Sequence, residues 1–473
     1  MVYTNIPLMM TVLISTIVFT FIVKERNNKN ELIRYGFIIL IAIVCYFFND
    51  RKYFIPFIIS ICLNVAAGRA IIKIQNTRTD LRKLLFISAI TIDVFLLIFF
   101  KASIKLVSLA GFEPILLPLG LSFLTFREIS YLIDIYTHKA KPFQHPLGDI
   151  AYIMLFTQIQ SGPIMKYHEF TDPDIKQEQH NFTDRLDNIN DGTQRIMTGF
   201  IKKIIMADSL AVFADQAFNE PVRMISLPMA WFGAICFSLQ LYYDFSGYSD
   251  MAIGFTRLLG YKCNENFDYP YASSSISEFW RRWHISLGSW FKEYIYIPLG
   301  GSKKSQLTTF FNLFIVWILT GLWHGIDLTF IAWGLLHFTF AVIEHFTGIH
   351  RSEDHKVKTL WHIFVLFGII IAWVMFRADS FSHGLWYIRS MVIPNITDSV
   401  SGRPNRFIPG LITSITALIF ALPITKKLES FMHKRGLDKI YIILYNALII
   451  ILFAVSLALS ANRANDTFAY ANF

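Results

Sequence analysis

Long apolar runs separated by short polar stretches extend along most of the chain. Five runs are close to the roughly 20 residues that an α-helix needs to cross a bilayer, and they occupy residues 6–23, 84–100, 225–243, 360–376 and 441–459. Shorter or interrupted runs occupy residues 35–48, 54–67, 115–135, 310–323, 328–346 and 408–424. The pattern therefore predicts an all-α polytopic membrane protein with about ten to twelve membrane helices, some of them re-entrant or interfacial.

The composition agrees with this membrane class. Of the 473 residues, 54% are hydrophobic and only 16% are charged, a combination that is rare in soluble domains. The net charge of +9 is expected to hold basic loops against anionic lipid headgroups, so nucleic acid is not an expected partner. The four cysteines form no CxxC pair, and we predict neither a disulfide framework nor a zinc or other metal site.

The polar stretches are too short to form a separate soluble domain. We therefore predict a single integral membrane domain over residues 1–473, with a polar loop and an interfacial helix in residues 166–223. The helix is predicted from "IMTGFIKKIIMADSLAVFADQAF", which is apolar at helical spacing. We expect Lys202 and Lys203 on this helix to face water or phosphate.

Residues 242–304 are unusually rich in aromatic and ionisable side chains, although membrane runs lie on both sides of them. Non-helical backbone at membrane depth is tolerated only where it is buried in protein or lines a water-filled cavity. This composition predicts a polar cavity, and residues 242–346 are the candidate catalytic region. The residues expected to line the cavity are Asp244, Ser246, Tyr248, Asp250, Arg257, Glu278, Arg281, Arg282 and His284.

Two histidines each follow a tryptophan, His284 in "RRWHIS" and His324 in "GLWHGI". His324 lies in an apolar run, where an ionisable residue is costly and often functional, yet a histidine there is more often a hydrogen-bonded packing residue than a catalyst. Asp327, one helical turn further on, could orient the imidazole or raise its pKa, which favours a functional role. His337 could share a helix face with His324, with a satisfied structural histidine as the alternative.

Several enzyme classes lack their usual signatures in this sequence. There is no GxSxG nucleophile elbow, no HExxH and no P-loop, which disfavours serine hydrolases, zinc proteases and nucleotidases. A single histidine in a protected cavity can still act as general base on a hydroxyl. The pattern indicates transfer of an activated group onto an alcohol.

The motifs resemble the membrane-bound O-acyltransferase family, specifically its bacterial branch, which acts on alginate, peptidoglycan and teichoic acids. The matching stretches run in order over most of the chain, and they are "LPLGLSFLTFREISYLIDIY", "FTQIQSGPIMKYHEF", "GFIKKIIMADSLA", "YYDFSGYSDMAIGFTRLLGYKCNENFDYPY", "SEFWRRWHISLGSWFKEYIYIPLGGS", "LTGLWHG" and "AWVMFRAD". The resemblance implies a barrel of helices around a central funnel. It places the family's invariant histidine on His324 and the second histidine on His284. The orienting role of Asp327 is a local inference and not a family property.

The resemblance also implies a reaction and a setting. Acetyl-CoA, a substrate and not a bound cofactor, would supply an acetyl group from the cytoplasm. The acceptor would be a hydroxyl of a cell-wall polymer or exopolysaccharide, reached through an extracytoplasmic SGNH-type acetyltransferase or a polysaccharide-modification complex. The expected location is the bacterial inner membrane.

Further residues are expected to have roles in this scheme. Arg281 would line the funnel beside His284, Asp244 and Asp250 would shape its polar cavity, and Lys202 and Lys203 would face CoA phosphates or lipid headgroups. The chain ends "FAYANF", an aromatic tail within residues 461–473 that resembles the endings of polysaccharide O-acetylases. Tyr470 in this tail is a candidate acyl relay, with interfacial anchoring of the tail as the alternative.

Two functions from other classes compete with the enzyme. A transporter or proton-coupled flippase could use buried His, Asp and Arg residues as a pathway. A transporter of this size commonly shows repeat symmetry between its halves, and no repeat is visible in this sequence. A scaffold within a polysaccharide-export complex would leave the motif residues without a task.

Overall fold

A computed structural model describes residues 5–23, 28–75, 77–109, 117–173, 182–221, 224–394 and 404–461. Its helices are α1 (Ile6–Ile22), α2 (Asn28–Asn49), α3 (Phe54–Lys73), α4 (Thr79–Leu109), α5 (Leu121–Tyr136), α6 (Pro146–Ile153), α7 (Tyr167–Thr171), α8 (Phe182–Ile201), α9 (Asp208–Phe218), α10 (Leu227–Leu258), α11 (Ile276–Arg282), α12 (Ile285–Phe291), α13 (Gln306–His324), α14 (Leu328–Thr347), α15 (His355–Arg377), α16 (Phe381–Ser390), α17 (Pro404–Phe420), α18 (Ile424–Lys434) and α19 (Asp438–Ala461). Short π-helical turns occupy Lys202–Ala207 and Lys292–Tyr296. Short 3-10 turns occupy Phe156–Gln158, Pro270–Ala272 and Ile349–Arg351. The all-α prediction is confirmed.

Seven helices are long and apolar enough to cross a membrane: α2, α3, α4, α13, α14, α15 and α19. The pair α17 and α18, bent by 56° at the break between them, raises the number to eight if it forms one broken span. The protein is therefore a multi-pass membrane protein. The described helices include fewer clear spans than the predicted ten to twelve. The helix α1 has only 17 residues, α5 has only 16, and polar residues interrupt α10.

The described residues form two compact units, and the single integral membrane domain stays a prediction. Among the described residues, the first unit contains the chain up to Met197 together with Tyr248–Glu265, and the second contains Thr198–Gly247 and the chain from Asn266 onward. In the first unit, α3, α4 and α5 pack together around buried polar groups. Asn64 donates to Asp93 Oδ1 at 3.0 Å, and Ser60 donates to Glu128 Oε1 at 2.8 Å.

In the second unit, α13 and α14 form a tight antiparallel pair. Glycine permits this close approach at two points, because a Cβ at Gly321 would lie 2.7 Å from the Phe330 carbonyl oxygen. A Cβ at Gly334 would likewise lie 2.7 Å from the Trp317 carbonyl oxygen. The helix α15 packs against α14 and completes a three-helix layer that carries the candidate site.

The segment predicted as one interfacial helix has a different structure. The helix α8 continues to Ile201, a π-helical turn follows over Lys202–Ala207, and α9 begins at Asp208. Lys203 is buried, with 3% of its surface exposed, so the expectation that both lysines face water or phosphate is wrong for Lys203. Lys202 is partly exposed.

Candidate active site

His324 is the last residue of α13, and the helix ends there because the backbone turns extended at Gly325. Asp327 is also extended and occupies the N-cap position of α14. The apolar stretch around His324 is thus two helices joined by a short connector. The expectation that Asp327 lies one helical turn beyond His324 on the same helix is therefore wrong, since no helix runs through both residues. Asp327 is exposed, whereas His324 is buried.

Aromatic rings surround the His324 imidazole. Its ring centroid lies 4.6 Å from that of Trp323, 5.0 Å from that of Trp333 and 5.0 Å from that of Phe376. Phe330 adds a further ring at 6.3 Å. Because these rings come from α13, α14 and α15, the packing of three helices fixes where the imidazole lies.

His337 lies halfway along α14 and is fully buried. Its Nδ1 accepts a hydrogen bond from Trp280 Nε1 on α11 at 3.3 Å, and its ring stacks on Trp317. His337 and His324 are on different helices, so the prediction that they share a helix face is wrong. Both instead contact Trp333, with ring centroids 5.0 Å apart in each case.

His284 lies in the bend between α11 and α12 with a left-handed backbone, φ 44°. Asn266 Oδ1 accepts from the Ser286 backbone N–H at 3.2 Å, which identifies this atom as the oxygen, and it also contacts His284 Nδ1 at 3.2 Å. Nδ1 therefore carries the proton, and Nε2 carries the lone pair. Burial lowers the pKa of His284 to about 3, so this imidazole is neutral at physiological pH.

The two histidines flank the same indole. Trp323 lies 4.6 Å from His324 and 6.4 Å from His284, measured between ring centroids. Phe245 from α10 packs edge-on against His284 at 4.6 Å. The structure thus brings together the two histidines that the sequence singled out, separated by one ring.

A buried carboxylate anchors the helix that precedes His284. Glu344 near the end of α14 accepts from the backbone N–H of Ile276 at 2.6 Å and from that of Ser277 at 2.9 Å. It also accepts from the Ser277 hydroxyl at 2.7 Å and from Trp361 Nε1 at 2.9 Å. These bonds satisfy N–H groups that lack an intrahelical partner at the start of α11, and so fix the position of the segment that carries Trp280 and His284.

Asp244, predicted to shape the polar cavity, is buried in an ion-paired cluster. Lys203 Nζ lies 2.8 Å from Asp244 Oδ1 and 2.8 Å from Asp208 Oδ1. Burial opposes the charge on Lys203, but the two carboxylates outweigh it and raise its pKa. Lys203 is therefore a structural cation that ties the π-helical turn to α10. This arrangement disagrees with its predicted contact with CoA phosphates.

The remaining predicted residues are dispersed. In the first unit, Asp250 pairs with Arg195 at 2.7 Å and Arg257 pairs with Asp191 at 2.5 Å. In the second unit, Arg282 pairs with Glu278 at 2.7 Å, while Arg281 is exposed. Tyr470 lies outside the described residues. Within the described ranges, no three His, Cys, Asp or Glu side chains converge in a way that could hold a metal ion.

Comparison with known proteins places this site within a family. The sequence model of the membrane-bound O-acyltransferase family matches residues 145–382, which is half of the chain and includes His284, His324 and His337. The chain belongs to the membrane-bound O-acyltransferase family.

Similar members of this family occur in several bacteria. A probable alginate O-acetylase AlgI of Pseudomonas fluorescens is 40% identical over 304 residues, which cover 61% of this chain and 60% of the relative. A peptidoglycan O-acetyltransferase of Helicobacter pylori is 32% identical over 82% of this chain and 79% of the relative. A teichoic acid D-alanyltransferase of Bacillus subtilis is 30% identical over 51% of this chain and 62% of the relative. The chain spans about three fifths of the length of the alginate O-acetylases that it matches.

Sequence reasoning missed four residues of this candidate site: Asn266, Trp280, Trp333 and Glu344. Glu344 had a usable signal, because it is an acid within the apolar run of residues 328–346. Trp333 and Trp280 lie at positions where core packing explains an aromatic residue equally well. No sequence pattern indicated Asn266, because its role depends on hydrogen bonds with His284 and Ser286 that only the folded chain forms.

Proposed function

We propose that this protein transfers an acetyl group from acetyl-CoA to a hydroxyl group, with His324 as general base. The observation that carries this proposal is the buried His324 imidazole, enclosed by rings at the end of a membrane helix in a member of the O-acyltransferase family. His324 accepts the hydroxyl proton while the oxygen attacks the thioester carbonyl carbon. A C–O bond forms, the C–S bond breaks, and the CoA thiolate leaves with the proton.

His284 has a different role in this proposal. Its Nδ1–H is committed to Asn266, and its Nε2 lone pair is held in one direction beside Trp323. We assign it to positioning the reacting groups. Arg281 and Lys202 remain candidates for contact with the negatively charged donor.

The acceptor and the cellular setting are part of the same proposal. The relatives are named for alginate, peptidoglycan and teichoic acid, which are all extracytoplasmic polymers. We assign this protein to the bacterial inner membrane and to the hydroxyls of a cell-wall polymer or exopolysaccharide. A partner extracytoplasmic transferase, of SGNH type, would complete the transfer, with Tyr470 as a relay for the acyl group.

The test measures the release of free CoA from acetyl-CoA by purified protein supplied with a hydroxylated glycan acceptor. We expect His324→Ala to lower the rate by about 100-fold or more, because general-base catalysis contributes roughly 10²–10⁴-fold. His345→Ala is the matched control, since His345 is an exposed histidine near the end of α14 and is not among the rings that surround His324. Equal rates in the wild type, His324→Ala and His345→Ala would contradict the role of His324.

The same assay separates the enzyme from a transporter. A transporter would consume no acetyl-CoA in detergent, where no membrane separates two compartments. CoA release that depends on His324 therefore supports the O-acyltransferase. Glycan or proton movement in vesicles without CoA release would support the transporter.

A further inference from the structure

Two buried N–H groups on α14, in Trp333 and His337, have no acceptor among the residues that the structure describes. One is the indole Nε1 of Trp333, whose side chain is 1% exposed, and the other is Nε2 of the fully buried His337. His337 Nε2 must be the protonated nitrogen of the neutral ring, because Nδ1 accepts from Trp280. Both atoms are therefore donors.

Unsatisfied donors of this kind are uncommon, because a buried N–H that loses its bond to water is costly. Two such donors in contacting rings, with centroids 5.0 Å apart, call for a shared explanation. The rings around them, Trp280, Trp317, Trp373 and Phe376, offer aromatic faces and no strong oxygen acceptor. The missing acceptor is therefore expected to come from a ligand.

We propose that Trp333 Nε1 and His337 Nε2 form the binding site for the carbonyl oxygen of the acyl group. This inference rests on the proposed function, because it assigns the acyl subsite of the same reaction. The Trp333 ring contacts His324, so an acyl carbonyl bonded to Trp333 lies beside the general base. The aromatic walls around the two donors suit a short apolar chain such as the methyl of an acetyl group.

The two donors stabilise charge and transfer no proton. When the hydroxyl oxygen attacks, the carbonyl oxygen gains negative charge, which the two N–H groups stabilise. The carbonyl then re-forms as the C–S bond breaks. The hydroxyl proton passes to His324 and then to the CoA thiolate, so Trp333 and His337 end the cycle unchanged.

The decisive variant is Trp333→Phe, which keeps an aromatic ring and removes only the N–H and part of the indole. We expect its acetyl-CoA turnover to fall roughly 10- to 100-fold. Its Tm should fall less than that of Trp361→Phe, because Trp333 Nε1 has no hydrogen bond to a described residue that could be lost. Trp361→Phe is the matched control, since the Trp361 indole N–H is bonded to Glu344 and its loss should lower the Tm.

A binding measurement provides a second readout that is independent of turnover. The Tm of the purified protein is measured with acetyl-CoA and with CoA, which lacks the acetyl carbonyl. We expect acetyl-CoA to raise the Tm of the wild type more than CoA does. In Trp333→Phe the two ligands should give equal shifts.

Three results would overturn the inference. Wild-type turnover and wild-type acetyl-dependent stabilisation in Trp333→Phe would show that the donors face a water molecule or a ring and not the acyl group. A lower Tm with an intact acetyl-dependent shift would show a structural role. A wild-type protein with neither turnover nor an acetyl-dependent shift would overturn the proposed function together with this subsite.

Discussion

His284 and His324 follow a tryptophan in similar local sequences, yet the structure supports them in different ways. Hydrogen bonds hold His284, through Asn266 and the start of α12, and they select one tautomer. Rings from three helices enclose His324. The position of the His284 imidazole therefore depends on individual hydrogen bonds, and that of the His324 imidazole depends on core packing. Each should therefore fail under a different kind of substitution.

The largest effect is expected from removing a ring beside His324. Phe376→Ala should destabilise the protein by about 3–5 kcal/mol, since a large buried side chain leaves a cavity. Acetyl-CoA turnover should fall with it, because the His324 imidazole loses a ring at 5.0 Å. Denaturant unfolding in detergent and CoA release measure the two effects.

The control for this substitution is Phe364→Ala on the same helix. Phe364 is 47% exposed, so its removal should change the free energy of unfolding by no more than about 0.5 kcal/mol. Equal destabilisation by Phe376→Ala and Phe364→Ala would contradict the claim that ring packing around His324 stabilises this part of the protein.

A smaller effect is expected on the hydrogen-bonded side. Asn266→Ala removes the acceptor shared by His284 and Ser286 and should cost about 1–3 kcal/mol. Turnover should fall because the His284 ring is no longer fixed. Asn190→Ala, at an exposed position, is the control for both measurements. Unchanged stability and turnover in Asn266→Ala would contradict the claim that hydrogen bonds through Asn266 hold the His284 ring in place.

The sequence predicted the helices around His324 but not the hydrogen-bond partner of His284. Apolar runs predicted helices at the positions of α13, α14 and α15, and the motifs around His284 and His324 predicted that both belong to one site. The separate apolar runs of residues 310–323 and 328–346 agree with the break between α13 and α14. The prediction of Asp327 one helical turn beyond His324 failed because the connector after Gly325 is extended. The burial of Lys203 and the roles of Asn266 and Glu344 depend on partners distant in sequence, which helical periodicity does not record.

The effect that is smallest near neutral pH is a pH dependence of stability. The pKa of His284 is about 3 in the folded protein, against an ordinary value of 6.5. Below about pH 6.5 the unfolded chain binds a proton at this residue that the folded chain does not. Stability should therefore fall as the pH drops towards 3, by at most about 1.4 kcal/mol per pH unit from this residue.

His284→Gln removes this contribution and should make the decline shallower. His345→Gln, at an exposed histidine, should leave the decline as steep as in the wild type. The measurement is the Tm from near-neutral pH down to about pH 5. The same slope in all three proteins would contradict a neutral, buried His284.

The contacts that anchor α11 also determine where the charge of Arg281 lies along α14. The segment contacts Glu344 at its start and His337 at Trp280, and His284 lies beside Trp323 at the end of α13. Along α14, Glu344 and His337 are separated by about 10 Å, given a rise of about 1.5 Å per residue. Because Arg281 follows Trp280, which bonds to His337 halfway along α14, this exposed residue lies near the middle level of a candidate membrane span. A guanidinium at that depth is tolerated where water reaches it. The anchored segment thus sets the level along α14 at which a charge needs water beside it.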